Sequence, residues 1–252
     1  MRFVPSRRKV SRINRQGEWV VRFRTLLATF AIFLISATVA AADTKFHEVK
    51  PGEFDPGKTY LVQAAWLDGL GCPTNARQAL PNSDFSGVGS IGSYTDPACP
   101  DGDSRDKRND GLVLAKTGPT NNFAAAGAEL KDVRGITLTE LGFDIRKAGA
   151  PLSAMGSHCG GGAPRWNIQT STGFFFVGCN SGTATPSAST GWTRLRWNAA
   201  ALAAQGVTGT VQSIQIVFDE GTDTGPDFIG LAVLDNIDVN GVLVGTGPTD
   251  PN

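Results

Sequence analysis

The alternation of apolar and polar residues along the chain predicts β-strands. It is clearest from Val211 to Phe218, where Ile214 and Ile216 share one face and Gln215 lies on the other. Similar patterns predict seven further strands, at 60–66, 111–116, 136–146, 166–170, 174–179, 193–197 and 233–239. Clusters of Gly, Pro, Asn and Asp separate them, and such clusters turn a chain. The pattern therefore predicts an all-β fold, an antiparallel β-sandwich of the jelly-roll type.

One segment is predicted to be helical. Residues 198–205 read NAAALAAQ, in which Asn198 is able to cap a helix and the alanines to propagate it, and Gly206 is able to end it. A single β-sandwich domain is expected over 43–252. Within it, 72–110 is a long irregular loop, and loops of that length are either functional or disordered. For its charged run at 101–110, the alternative is a solvated, exposed loop.

The first 42 residues have the pattern of a signal peptide. A basic region precedes the uncharged run Thr25–Ala42, which ends in the small residues that signal peptidase prefers. Cleavage after Ala42 predicts an exported protein, secreted or held at the cell surface, with no membrane contact afterwards. The alternative is an uncleaved anchor, because eighteen uncharged residues just reach the length of a membrane-spanning helix.

The charges are divided unevenly along the chain. Residues 1–24 contain eight Lys/Arg and one Glu, whereas residues 43–252 contain fifteen Lys/Arg and twenty-two Asp/Glu. An acidic body argues against binding to phosphate backbones, which dense clusters of Lys and Arg hold. Nucleic acid is therefore excluded as a partner.

Four cysteines follow the leader, and an even number in an exported chain indicates disulfides. Three pairings are possible, and we expect Cys72–Cys99 and Cys159–Cys179. The second pair brackets two strands and a Ser171-Thr172-Gly173 turn, which form a hairpin that brings its flanks together. Zinc is the alternative, but no C-x₂₋₄-C spacing occurs.

Two acidic features suggest metal binding or structural roles. The segment 219–227 supplies four carboxylates, which suit calcium, although an acidic turn that caps a strand is the alternative: Asp219, Glu220, Asp223 and Asp227. Asp235 is in phase with Ile237 and Val239, so it is expected to point inward. A buried carboxylate needs partners, and the expected ones are loop amides that fix a corner.

Aromatic and polar side chains provide the candidate ligand contacts. Trp192 follows Gly191 at a loop-to-strand junction and is the tryptophan predicted to be exposed, with a position at the rim of the core as the alternative. Trp166 and Trp197 are in phase with apolar residues and are predicted to lie in the core. The proposed contact residues are Trp192, His158 and the polar face of one strand: Arg165, Asn167 and Gln169. Arg194 and Arg196 extend that polar face only if their strand, at 193–197, is a neighbour of the strand at 166–170.

Four stretches of the second half share the rhythm of a known domain type: 110–116, 141–146, 191–195 and the closing LDNIDVNG at 234–241. In these the chain resembles secreted bacterial jelly-roll domains of the galactose-binding-like, carbohydrate-binding-module type. The resemblance implies a fold and a non-catalytic module that binds a glycan or a cell-surface polysaccharide. The alternatives are a structural or protein-interaction domain and a carboxylate-dependent glycan hydrolase, since no other catalytic motif occurs.

Overall fold

The computed structural model describes residues 45–74, 77–81, 84, 87–117, 124–147, 159, 163–188, 190–219 and 229–248. The predicted leader, His158, Glu220, Asp223 and Asp227 lie outside these residues. Over the part of the chain that is described, no helix is both long and apolar enough to cross a membrane.

Within these ranges the chain forms fourteen strands and one α-helix. They are, in chain order, β1 (Val49–Phe54), β2 (Val62–Leu67), β3 (Arg77–Pro81), β4 (Val88–Ser93), β5 (Gly111–Thr117), β6 (Ala125–Leu130), β7 (Glu140–Lys147), β8 (Arg165–Thr170), β9 (Phe174–Gly178), β10 (Thr183–Pro186), β11 (Trp192–Asn198), α1 (Ala199–Ala204), β12 (Val211–Phe218), β13 (Ile229–Val239) and β14 (Val242–Val244). The predicted helix is confirmed, and the Asn198 side chain caps it by accepting from the Ala201 amide at 2.9 Å.

Two antiparallel sheets form the predicted β-sandwich. One has five strands in the order β1-β6-β12-β8-β9, and the other runs β10-β11-β7-β13-β5-β2, with β14 paired to β13. Strands β5 to β8 alternate between the sheets, as do β11, β12 and β13, which is the connectivity that the jelly-roll prediction implies. The predicted strand at 136–146 is too long, because β7 begins only at Glu140.

The core lies between the two sheets and contains an aromatic group. Phe143 of β7 packs against Trp166 of β8 and Trp197 of β11, with ring centroids 5.2 and 5.6 Å apart. The two tryptophans meet edge to face at 6.1 Å. Both are fully buried, so their predicted core positions are confirmed.

Both predicted disulfides are present. Cys159–Cys179 joins the main core, and Cys72–Cys99 lies in a separate apolar cluster with Ala98 and Trp192. Disulfides are characteristic of oxidising compartments, which agrees with the expected export.

The segment 72–110 is not irregular throughout, contrary to the prediction, because it contains the antiparallel pair β3 and β4. The rest of this irregular segment before β5 lies against the outer face of the seven-stranded sheet. Its backbone donates to β13 at two points: the Cys72 amide to Asp235 (2.7 Å) and the Asp103 amide to Asn236 (3.2 Å). Asp101 pairs with Arg194 of β11. The acidic side chains of its charged run are buried at three positions, so the run is not a solvated loop: Asp103, Asp106 and Asp110.

Asp235 is buried, but not where its phase predicts. The register of β13 against β7 shifts between Asp235 and Asp238, and Asn236 has a φ of 46°. This bulge directs Asp235 to the outer face, opposite Asp144, while Ile237 remains in the core. Its carboxylate accepts the Cys72 amide and the Asn236 amide (2.6 Å), so its predicted role with loop amides is confirmed.

A buried network of charges lies beside Asp235. Asp144 is fully buried and lies 3.2 Å from the Arg196 guanidinium. Its carboxylate also accepts from the side-chain nitrogen Nδ2 of Asn236 at 2.9 Å. Desolvation exceeds the effect of these partners and raises the pKa of Asp144 to about 6. Burial and the neighbouring Glu140 likewise raise the pKa of Asp238.

The two core tryptophans differ in one hydrogen bond, which allows a matched comparison. Trp197 Nε1 donates to the Ser181 hydroxyl at 3.0 Å, whereas Trp166 Nε1 has no hydrogen-bond partner among the residues described. We expect Trp197→Phe to lower the free energy of unfolding by about 1 kcal/mol more than Trp166→Phe, because only the first loses a hydrogen bond. Urea denaturation of both variants measures the difference, and equal or reversed costs contradict the assignment.

Asp144 should make stability depend on pH with a defined sign. Its pKa rises from 3.8 when unfolded to about 6 when folded, so the folded chain binds more protons between these values. Its contribution is fully present at low pH and is lost as the pH rises from about 4 to about 6. We expect the free energy of unfolding of the wild type to fall relative to that of Asp144→Asn as the pH rises across this window, by at most about 3 kcal/mol. Denaturant titrations at pH 4 to 7 test this, and a constant difference contradicts it.

Candidate functional site

A cleft of about 660 Å³ lies on the outer face of the five-stranded sheet, over strands β1, β6, β12 and β8. Period-two alternation produces it, because residues that flank the buried side chains point outward. Antiparallel register aligns one outward row across all five strands: Lys50, Glu129, Gln215, Asn167 and Phe176. The next row is Gly52, Gly127, Val217, Arg165 and Gly178.

Two glycines form the floor at the β1 end of the cleft. A Cβ at Gly127 would lie 2.5 Å from the Ile216 carbonyl oxygen, so no larger residue fits there without a shift. A Cβ at Gly52 would meet no atom within 4 Å. The missing side chains leave the second row deeper than the first, and the space above Gly52 is open.

Arg165 is held in a fixed orientation beside the cleft. Its guanidinium donates to Asp219 Oδ1 at 2.6 Å and to Asn167 Oδ1 at 3.2 Å, and it lies 5.6 Å from the centre of the Phe176 ring. A planar guanidinium suits such combined pairing and stacking. The Asn167 amide nitrogen, the remaining guanidinium N–H groups and the Gln215 side chain are therefore polar groups on a rigid strand surface.

Exposed aromatic rings stand at both ends of the site. Phe54 ends β1, and Phe176 lies on β9, and each is 61 % exposed. Phe174, also exposed, meets Phe176 edge to face at 4.9 Å. Because β1 and β9 are the outer strands of the sheet, four strand spacings separate them, about 19 Å in all. The cleft thus offers apolar ring faces at its ends and polar groups between them.

The charges around the cleft are mixed. Lys50, Arg165, Glu53, Glu129 and Asp219 line it. Glu129 pairs with Lys131 at 2.5 Å, and Asp219 pairs with Arg165. A strongly charged ligand therefore finds no surface of a single opposite sign.

The predicted polar face of β8 divides into two parts. Arg165 and Asn167 line the cleft. Gln169 does not, and its amide nitrogen donates to the carbonyl oxygens of Thr170 and Gly173 in the hairpin turn. The cleft residues Phe54, Lys50 and Gln215 were not among the sequence candidates, and neither was Phe176 beside the cleft. Phe174 and Phe176 lie on the face of β9 opposite the buried Val177, and this alternation predicts that both rings are exposed. Only the order of the strands in the sheet places Phe176 beside Arg165.

The prediction that Trp192 is exposed is wrong. Its side chain is only 2 % exposed, because the irregular segment brings the Cys72–Cys99 disulfide and Ala98 over it. It therefore presents no ring face to a ligand. Arg194 and Arg196 do not extend the polar face of β8, since their strand β11 belongs to the other sheet and is not a neighbour of β8.

Asp219 is the one member of the predicted calcium set within the described residues. One of its carboxylate oxygens accepts from Arg165, and its carbonyl oxygen accepts from the Lys116 amine at 3.0 Å. Burial lowers the pKa of Lys116, and the Asp219 charge opposes this effect. Two protein cations thus approach Asp219, while the calcium site itself stays a prediction.

Comparisons with known proteins bear on the fold. No protein-family model matches the chain, and no curated protein matches it. The chain is similar to a family 11 carbohydrate-binding module from Clostridium thermocellum, solved in complex with a β-1,3-1,4-mixed-linked tetrasaccharide, at 13 % identity over 79 % of this chain and 90 % of that one, with a TM-score of 0.35. It is also similar to a β-1,2-glucanase from Parabacteroides distasonis, at 12 % identity over 81 % of this chain and 25 % of that one, with a TM-score of 0.35. The chain spans about a quarter of the glucanase, and both similarities are weak.

Proposed function

We propose that this protein is an exported, non-catalytic carbohydrate-binding module and that its ligand, a glycan or cell-surface polysaccharide, lies in the cleft of the five-stranded sheet. The observation that carries the proposal is the combination of exposed ring faces at the ends with fixed polar groups between them. Binding sites for small molecules and sugars commonly pair an apolar surface with a few placed polar groups.

Each part of the cleft has a distinct role in this proposal. The Phe176 ring packs against the C–H face of a pyranose, while Asn167, Arg165 and Gln215 exchange hydrogen bonds with hydroxyl groups. Arg165 is already held by Asp219, so binding costs little side-chain entropy. The mixed charges favour a ligand without a high net charge.

The hydrolase alternative has less support. Three carboxylates of β7 and β13 are at most 2 % exposed: Asp144, Asp235 and Asp238. In the cleft, Glu129 is paired with Lys131 and Asp219 with Arg165. A glycosidase needs two carboxylates that reach the scissile bond, and buried ones do not. A structural or protein-interaction role requires no rigid cleft of polar groups, so the glycan proposal explains more of the surface.

Three variants test the proposal by affinity electrophoresis and calorimetry against a panel of polysaccharides, using the exported protein with both disulfides formed. Phe176→Ala and Asn167→Ala should each weaken binding at least about tenfold, because the first removes the ring face at one end of the site and the second removes a polar contact within the cleft. Gly52→Leu should also weaken it, since a Cβ at Gly52 meets no atom within 4 Å and the larger side chain occupies cleft space.

Gln169→Ala is the matched control. It shortens a polar side chain on the same face of β8, outside the cleft, and should bind like the wild type. Absence of binding to every polysaccharide overturns the proposal, and so does a ligand whose affinity Gln169→Ala lowers while the three cleft variants do not.

A further inference from the structure

The turn between β1 and β2 has an unusual backbone. Lys58 and Tyr60 both have positive φ, 50° and 57°. This conformation suits glycine, and it is a genuine outlier for a bulky residue such as Tyr60. Two such residues in one short turn persist only when surrounding contacts enforce them, and strained backbone of this kind is concentrated at binding sites.

Asp55 supplies the contacts that hold the turn. Its carboxylate accepts from the Tyr60 amide at 2.7 Å and from the Thr59 hydroxyl at 2.9 Å, and its carbonyl oxygen accepts from the Lys58 amide at 3.0 Å. Hydrogen bonding, led by the Thr59 amide, lowers the pKa of Asp55. The carboxylate is therefore a strong acceptor that fixes the position of Tyr60.

The Tyr60 ring contributes little to the fold. It is 84 % exposed, more than any other large apolar or aromatic side chain whose burial is described. A strained backbone that displays an aromatic ring to water costs stability and gains no packing. The Tyr60 amide is hydrogen-bonded to Asp55, and Asp55 directly follows the cleft residue Phe54, so the Tyr60 backbone lies near the β1 end of the cleft.

From this geometry we infer that Tyr60 forms a further subsite, for a pyranose ring that extends beyond Phe54, and that Asp55 is its positioning residue. The inference rests on the proposed function and adds to it. A short oligosaccharide held at the Phe176 end does not reach Tyr60, whereas a longer one does. The subsite therefore selects for chain length.

The test is calorimetric titration with linear oligosaccharides of increasing length, prepared from the polysaccharide that the wild type binds. Tyr60→Ala should weaken binding of the longer oligosaccharides about 3- to 10-fold, the range of one aromatic contact, and leave the shortest bound ones unchanged. Tyr60→Phe should retain wild-type affinity. Lys58→Ala, in the same turn, is the matched control and should also bind like the wild type.

Asp55 is tested through its dependence on Tyr60. Asp55→Ala should reproduce the length-dependent loss, and Asp55→Ala/Tyr60→Ala should bind no more weakly than Tyr60→Ala alone. Asp55→Asn, which keeps an oxygen for the Tyr60 amide, should restore much of the affinity. A purely structural role predicts losses that are independent of ligand length.

The outcomes separate the two proposals. If wild type binds, Asn167→Ala weakens binding at all lengths and Tyr60→Ala changes nothing, the subsite is overturned and the cleft stands. If Tyr60→Ala weakens all lengths equally, the length selection is overturned. If the wild type binds no glycan, both proposals fail together.

Discussion

The burial of Trp166 between the two sheets is the constraint on which the cleft depends. Trp166 on β8 packs against Phe143 and Trp197 of the opposite sheet. Since side chains alternate along a strand, this packing directs Arg165 and Asn167 outward. The antiparallel ladders then place the outward residues of β12, β6 and β1 in line with them. The core thus fixes the polar surface as firmly as it fixes the fold, and the site needs no mobile loop to assemble it.

The two outer faces of the sandwich differ in whether another segment of the chain covers them. On the seven-stranded sheet, the segment before β5 covers buried carboxylates and the Trp192 cluster, held by amide donors to Asp235 and Asn236. Such buried polar groups are stable only when they are paired or hydrogen-bonded. Within the segment, Arg105 pairs with Asp103 and Arg108 with Asp110. The five-stranded sheet carries no comparable cover among the described residues, so its outer face remains open as the cleft.

The sequence predicts eight of the fourteen strands, the helix and the Cys159–Cys179 pair, because these follow from local alternation, capping and hairpin geometry. It fails where the chain departs from period two or where distant segments meet. Strand β6 reads AAGAEL, which lacks the β-branched and aromatic residues typical of strands, so its sequence does not predict a strand. The bulge at Asn236 reverses the face of Asp235, and a segment ninety residues away buries Trp192. The cleft itself depends on sheet order, which places β12 between β6 and β8 and which no local pattern contains.

The distribution of exposed aromatic rings is the last link between fold and function. Within the described residues, the exposed rings are Phe54, Tyr60, Phe174 and Phe176. All four lie on the two edge strands of the five-stranded sheet or in the turn that follows β1. Their arrangement at both ends of one polar cleft is what a surface requires when it binds an extended ligand that has alternating apolar and hydroxyl-bearing faces.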